Sequence, residues 1–338
     1  MNVDHVGPIT RAVLYEGYLL WPYRRSALKN RQRWTFGGVF PEGWSRAGHP
    51  DDLSTVQTQC LLEADPRAVV DVTVRFLQVV ERKVAERNGD TLDFVDDLTV
   101  EGERFLAWDE AREREVNVSA SLGELLASPR RVPIEFPTGG DEETTTDHAG
   151  TPRGALVRSW NTLAGSVEVR AEALEEGVAR LTVQVANTTP WFGNDREGAQ
   201  RSAFASTHTV LHVIGGEWGS ATDPPERLRA LSEACENRGS WPVLVGEKGD
   251  RSTLLSSPII LEDYPRIAPE SPGDLFDGGE IDQLLILNIL SLTDEEKAEM
   301  RATDPRAREI LDRCSSLSSE ELMRLHGTIR ELRPLHPE

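Results

Sequence analysis

Residues 69–80 read VVDVTVRFLQVV, in which Val70, Val72, Val74 and Phe76 alternate with Asp71, Thr73 and Arg75. An apolar residue at every second position is the period of a strand with one buried face. The stretch SVEVRAEALEEGVARLTVQVANTT carries the pattern twice, so that Val167, Val169 and Ala171 match Leu181, Val183 and Val185 across a Glu-Glu-Gly turn. That arrangement predicts a β-hairpin. AFASTHTVLHVIGG predicts a third strand after it, SWPVLVG another, and LDFVDD, ERFLAW and EREVNVSA shorter ones. From Ala12 to Val39 the chain is rich in aromatic and β-forming residues, broken by Pro22 and by Gly37-Gly38, and reads as two strands with a basic connection.

Helical punctuation is sparse until the end of the chain. Asp223 before Pro224 predicts a helix over PPERLRALSEAC. Thr293 with Glu296 forms a capping box, Asp304-Pro305 starts a second helix, and Ser318 with Glu321 starts a third. The run PTGGDEETTTDHAGTPRG offers turn formers and acids with nothing to bury, and reads as a mobile linker or long loop. The expected organisation is therefore an N-terminal β-rich domain (1–136), a linker (137–154), a central antiparallel β-sandwich with one helix (155–255), an acidic strap (256–282) and C-terminal helices (283–338). In fold class this is α+β, mainly β, with antiparallel sandwich-like domains and a C-terminal helical segment.

Charge and composition narrow the partners. With 37 Lys plus Arg against 57 Asp plus Glu, the net charge is -20, a field that repels phosphate backbones and anionic membranes. No nucleic acid is expected. The longest apolar run, LLILNILSL, falls short of the roughly 20 residues that span a bilayer, so no membrane insertion is expected. The N-terminus has no basic region leading into an apolar one, and a cytoplasmic protein follows. Cys60, Cys235 and Cys314 lack CxxC spacing and read as free thiols rather than a disulfide or zinc framework.

Known catalytic signatures are scarce. GxSxG and GxGxxG are absent, and GEKGDRST at Gly246 lacks the residue order of a phosphate-binding loop. His208 and His212 in STHTVLH are the best metal candidates. On a strand they share a face but lie about 13 Å apart at ~3.3 Å per residue, too far for one ion, so structural histidines are the plainer reading. Asp274, Asp277, Glu280 and Asp282 in DLFDGGEID supply hard oxygen ligands beside glycines, yet their spacing does not match a calcium loop. Asp277 or Gly279 as a helix cap accounts for them more simply. No cofactor is expected.

Two segments suit recognition. RRSALKNRQR carries Arg24, Arg25, Lys29, Arg31 and Arg33, a +5 island in an acidic chain, interleaved with Trp21, Tyr23 and Trp34. It suits an anionic ligand, a partner's acidic face, or the chain's own acidic strap. That strap, SSPIILEDYPRIAPESPGDLFDGGEID, holds seven carboxylates against one arginine, with apolar anchors at Tyr264, Ile267 and Phe276. Apolar anchors rimmed by charge, here including Asp274 and Asp277, are the anatomy of many interfaces. Trp191 and Phe192 in NTTPWFGND sit on an expected loop and are further contact candidates.

Two blocks, LLWPYRRSALKNRQRWTFGGVFP and SPIILEDYPRIAPESPGDLFDGGEID, together with STHTVLHVIGGEW and GSWPVLVG, resemble an uncharacterised family of bacterial proteins associated with gene neighbourhoods of uptake nickel-iron hydrogenases. The resemblance implies a non-catalytic accessory or assembly role toward a cytoplasmic metalloenzyme, with hydrogenase subunits or maturation proteins as partners. It carries no catalytic residue with it. A metal-dependent enzyme or metallochaperone built on the His208/His212 strand, and a structural subunit of a larger complex, are the alternative expectations.

Overall fold

The computed structural model describes residues 7–15, 18, 23–27, 36–265, 286 and 288–317. The fold is organised by β1 (Thr55–Asn88), whose two edges serve five other strands in turn. Its start pairs with β10 (Val178–Asn187), and its middle lies between β11 (Ala205–Trp218) and β5 (Trp108–Ser121). Its end pairs with β8 (Pro152–Trp160) and β2 (Thr91–Val95). The β9 strand (Leu163–Glu175) and β6 (Arg130–Phe136) extend the sheet beyond β10, while β13 (Thr253–Ser257) and β12 (Trp241–Leu244) extend it beyond β11. All these pairings are antiparallel, and the mainly β, α+β class expected from the pattern is the one observed.

The β1 strand is interrupted by a bulge. Between Ala64 and Val69 the register against β11 shifts, and the inserted residues include Pro66, which has no N–H to offer a ladder. Asp65 turns the chain locally by accepting a hydrogen bond from the Arg67 N–H at 2.9 Å. Beyond the bulge Val70, Val72, Val74 and Phe76 face Val167, Val169, Leu181 and Val183 across one apolar core, so the sheet closes over its own face. Phe76 stacks on Phe204 at 4.7 Å and meets Phe136 edge-on at 5.9 Å. The hairpin register is the expected one, with Val167 opposite Val185, Val169 opposite Val183 and Ala171 opposite Leu181.

Three expectations are corrected. Residues 139–146, read as linker, form β7 (Gly139–Thr146) paired with β8, so the domain boundary expected at the 137–154 linker falls inside a hairpin. Strands from both sides of that boundary share one sheet. An edge strand exposed on both faces needs no apolar residues, and its acids blunt the edge against further pairing. Asp147 closes the turn by accepting hydrogen bonds from the N–H groups of Ala149 and Thr151.

The second correction concerns the expected strand at Ala12, where α1 (Gly7–Tyr15) is helical instead. Ile9 and Val13 pack toward Val210 and Val243, while Leu14, Tyr15 and Tyr18 enter a second core. That spacing is helical and outweighs the β propensity of the individual residues. Third, the helix expected after Asp223 shrinks to a single turn at Glu226–Leu228 followed by α5 (Arg229–Glu233), without a side-chain cap.

The second core lies on the outer face of the sheet. There the N-terminal segment and the C-terminal helices α6 (Asp294–Thr303) and α7 (Pro305–Ser315) cover Leu77, Val79 and Trp108. Both helices start at the expected caps: the Thr293/Glu296 box and Asp304 with Pro305. Arg82 joins this cap to the sheet. Its buried guanidinium donates to the carbonyls of Leu106 and Thr303 and pairs with Glu110 at 2.7 Å. Among the described residues no helix is long and apolar enough to cross a membrane.

Candidate functional site

A cavity of about 220 Å³ opens where five short segments of chain converge. The start of β1 contributes Gln59, Cys60 and Leu61, and the loop after β11 contributes Gly219, Ala221 and Thr222. Ser232, Cys235 and Asn237 follow from α5 and its exit, Trp241, Pro242 and Val243 from β12, and Ile260 and Leu261 from the first residues of the strap. Trp241 is 38% exposed and Ile260 is 77% exposed, so two large apolar side chains stand at its mouth.

Much of its polar lining is already engaged. The Gln59 N–H donates to Asn237 Oδ1 at 2.8 Å, and Gln59 Oε1 accepts from the Glu236 N–H at 2.7 Å. The Gln59 amide also donates to Thr182 Oγ1 at 3.3 Å, and Thr222 donates to Asp263 at 2.7 Å. What remains for an occupant is mainly hydrocarbon, together with the Ser232 hydroxyl and the Asn237 amide N–H groups; the Cys235 thiol donates to the Leu231 carbonyl at 3.5 Å. Burial raises the Cys235 pKa, and the nearby Arg180 guanidinium opposes that rise. Cys60 and Cys314 are buried and Cys235 is half-buried; all three are free. Burial holds Cys60 well above the ordinary thiol range and Cys314 at about 11.

Asp263 fixes the far side of the site. One carboxylate oxygen accepts from Ser220 and Thr222, and the other from the Leu244 N–H at 2.8 Å. The next residue, Tyr264, donates its N–H to the Leu244 carbonyl at 2.7 Å with a positive φ of 58°. Tyr264 is thereby turned against the main core and is half-buried rather than presented outward. Ile267, Asp274, Phe276 and Asp277 lie outside the described residues, as do Glu280, Asp282 and the cap proposed at Gly279.

The described cations of the basic island, Arg24 and Arg25, have partners outside the strap. Arg24 pairs with Glu296 at 2.9 Å, and Ser26 donates to Glu299 through both its N–H and its hydroxyl. Arg25 donates to the Asp96 carbonyl at 3.1 Å. The Arg24 and Ser26 contacts tie the N-terminal segment to α6, and Arg25 ties it to the residue after β2. Lys29, Arg31 and Arg33 lie outside the described residues.

His208 and His212 occupy one face of β11, as the strand period requires, and the structure gives each a local partner. His208 is fully buried, with Nδ1 3.2 Å from the Ser206 carbonyl, while its Nε2 finds no partner among the described residues. Desolvation pushes its pKa from 6.5 down to about 4. His212 Nδ1 lies 3.0 Å from Thr253 Oγ1. Among the described residues no group of three His, Cys, Asp or Glu side chains is placed to hold a metal ion.

Trp191 and Phe192, adjacent in sequence, part ways. Trp191 packs edge-on against Trp44 at 6.3 Å and joins the small core around Phe40 and Ala199, whereas Phe192 is 97% exposed. The cavity itself went unforeseen because it is assembled from segments spread between residues 59 and 261. The one local signal was the apolar opening of the strap, Pro-Ile-Ile-Leu. A scan of the chain against protein-family models finds no match, and a search of the curated proteins finds no significant relative.

Proposed function

We propose that this chain is a non-catalytic accessory protein that binds a partner protein at the cavity between β12 and the start of the strap. The observation that carries the reading is the pair of exposed apolar side chains, Trp241 and Ile260, at the mouth of a cavity whose lining is mainly apolar and whose Gln59 is bonded to its own chain. Exposed aromatic and aliphatic anchors beside a concave site are where binding energy concentrates in protein interfaces. On the resemblance described above, hydrogenase subunits and maturation proteins are the first partners to test.

The test is parallel affinity capture from native cells with the tagged wild-type chain and with Ile260→Glu, followed by mass spectrometry. A partner retained by the wild type and lost by the variant supports the reading. Identical eluates from the two would count against it.

A further inference from the structure

We infer that the cavity receives one large apolar side chain from a partner segment whose neighbouring residues are basic; this rests on the partner-binding reading above. Size is the first argument. At about 220 Å³ the cavity falls below the ~300–1,000 Å³ of sites that enclose whole small molecules, and suits a side chain better. Chemistry is the second. With Gln59, Thr222 and the Asn237 Oδ1 bonded to their own chain, the Ser232 hydroxyl and the Asn237 amide N–H groups are the polar contacts left, beside the larger apolar set of Leu61, Trp241, Val243, Ile260 and Leu261.

The neighbouring strand edge excludes the commonest alternative mode of peptide capture. Adding a strand to β12 would need its free backbone groups, but Pro242 has no N–H. Leu244 is also taken, its N–H by Asp263 and its carbonyl by Tyr264. A partner therefore engages this site by inserting a side chain.

Charge then sets the flanks. Asp223, Glu233, Glu236 and Glu262 each adjoin a residue of the cavity lining, and all four are exposed. Against them stand exposed Arg238 and the partly covered Arg180, which is paired with Glu172. The mouth is thus acidic within a chain of net charge -20, which favours lysine or arginine on either side of the inserted residue.

The direct test uses synthetic fluorescent peptides with a central Trp, Phe or Leu flanked by Lys, matched to Glu-flanked and Ala-centred versions. Two readouts are taken with the full chain: anisotropy, and the rate of iodoacetamide alkylation at Cys235, which lines the cavity and is the most exposed of the three thiols. The Lys-flanked apolar peptide should bind and protect Cys235. Ile260→Glu should weaken that binding by roughly 30-fold, the scale of a truncated hot spot. Raising salt to 1 M should weaken it further as the Debye length shrinks to about 3 Å. Glu233→Lys with Glu236→Lys should transfer the preference to Glu-flanked peptides.

Equal binding of both flank types, binding without protection of Cys235, or no peptide binding would overturn the inference. If peptides fail while native capture still depends on Ile260, the inference alone falls. Without any Ile260-dependent capture, the proposed function falls with it. Ile260 is 77% exposed, so its substitution leaves the folded chain available for every arm of the test.

Discussion

Tyr15, Tyr18 and Tyr23 are fully buried between the chain's terminal segments and the sheet, whereas Trp241 and Ile260 stand open at the edge strand β12. In the terminal clasp, polar groups of the aromatics meet partners from distant parts of the sequence. The Tyr18 hydroxyl donates to Asp304 at 2.5 Å and the Tyr15 hydroxyl to Glu113 at 2.7 Å. Arg306 stacks over the Tyr15 ring at 3.7 Å. At the cavity Gln59 and Thr222 are bonded to their own chain and large apolar side chains are left over. The clasp therefore contributes to stability, and the rim is available for recognition.

The comparison breaks most visibly at Arg82. Its side chain is 6% exposed and its partner Glu110 17%, and it also holds the last carbonyls of α6. Arg82→Met leaves the carbonyls of Leu106, Ala302 and Thr303 without this donor and takes from Glu110 one of its two arginine partners, Arg158 remaining; at about 1–3 kcal/mol for each buried group left unpaired, the expected cost in urea unfolding is about 3–5 kcal/mol. A loss below about 1 kcal/mol would place the C-terminal helices outside the cooperative unit.

His208 sharpens the same contrast through pH. The folded imidazole stays neutral down to about 4, while the unfolded chain takes up its proton near 6.5. Unfolding therefore binds a proton in that window. Stability is fully present above pH 6.5 and falls toward pH 4, by about 3 kcal/mol. Arg75 and Glu113 are the charged groups nearest in effect, and desolvation outweighs both. Unfolding curves of wild type and His208→Gln between pH 7 and 4.5 should converge as the pH drops. Parallel pH profiles would remove His208 from the account.

A smaller effect is expected at Tyr18→Phe, which leaves Asp304 without one buried donor while keeping the ring in place. The expected loss is about 1–3 kcal/mol, measured by thermal or urea unfolding. Asp304 also caps α7 by accepting from the Arg306 N–H at 2.8 Å, so Asp304→Ala should cost more than Tyr18→Phe.

Local order was legible wherever one residue's neighbours decide its fate. The alternation at Val70 to Phe76, the hairpin pairing Val167 with Val185 and the caps at Thr293 and Asp304 are short-range signals, and each appears in the structure. The hidden parts depend on contacts across the chain. The sequence at Ala12 to Tyr15 favours β by composition and became helix because two separate cores needed two sides of one element. Gly139 to Thr146 has no apolar pattern because an edge strand buries almost nothing. The same reason explains the island: Arg24 and Ser26 found acids on α6, a helix nearly 270 residues further along the chain. Of the anticipated contact residues, Tyr264 turned inward because Asp263 and the Leu244 carbonyl anchor the backbone there. Nothing local distinguishes Ile260, which stayed outside, from Leu261, which joins the core around Val13.

On the proposed reading, the clasp stabilises the chain while the cavity rim recognises a partner. The most direct measurement is the unfolding free energy of Ile260→Glu, taken beside its affinity for the Lys-flanked apolar peptide. Stability within about 0.5 kcal/mol of wild type, as for an exposed substitution, is expected together with lost binding. A variant that binds normally, or one that unfolds as readily as Arg82→Met, would contradict it.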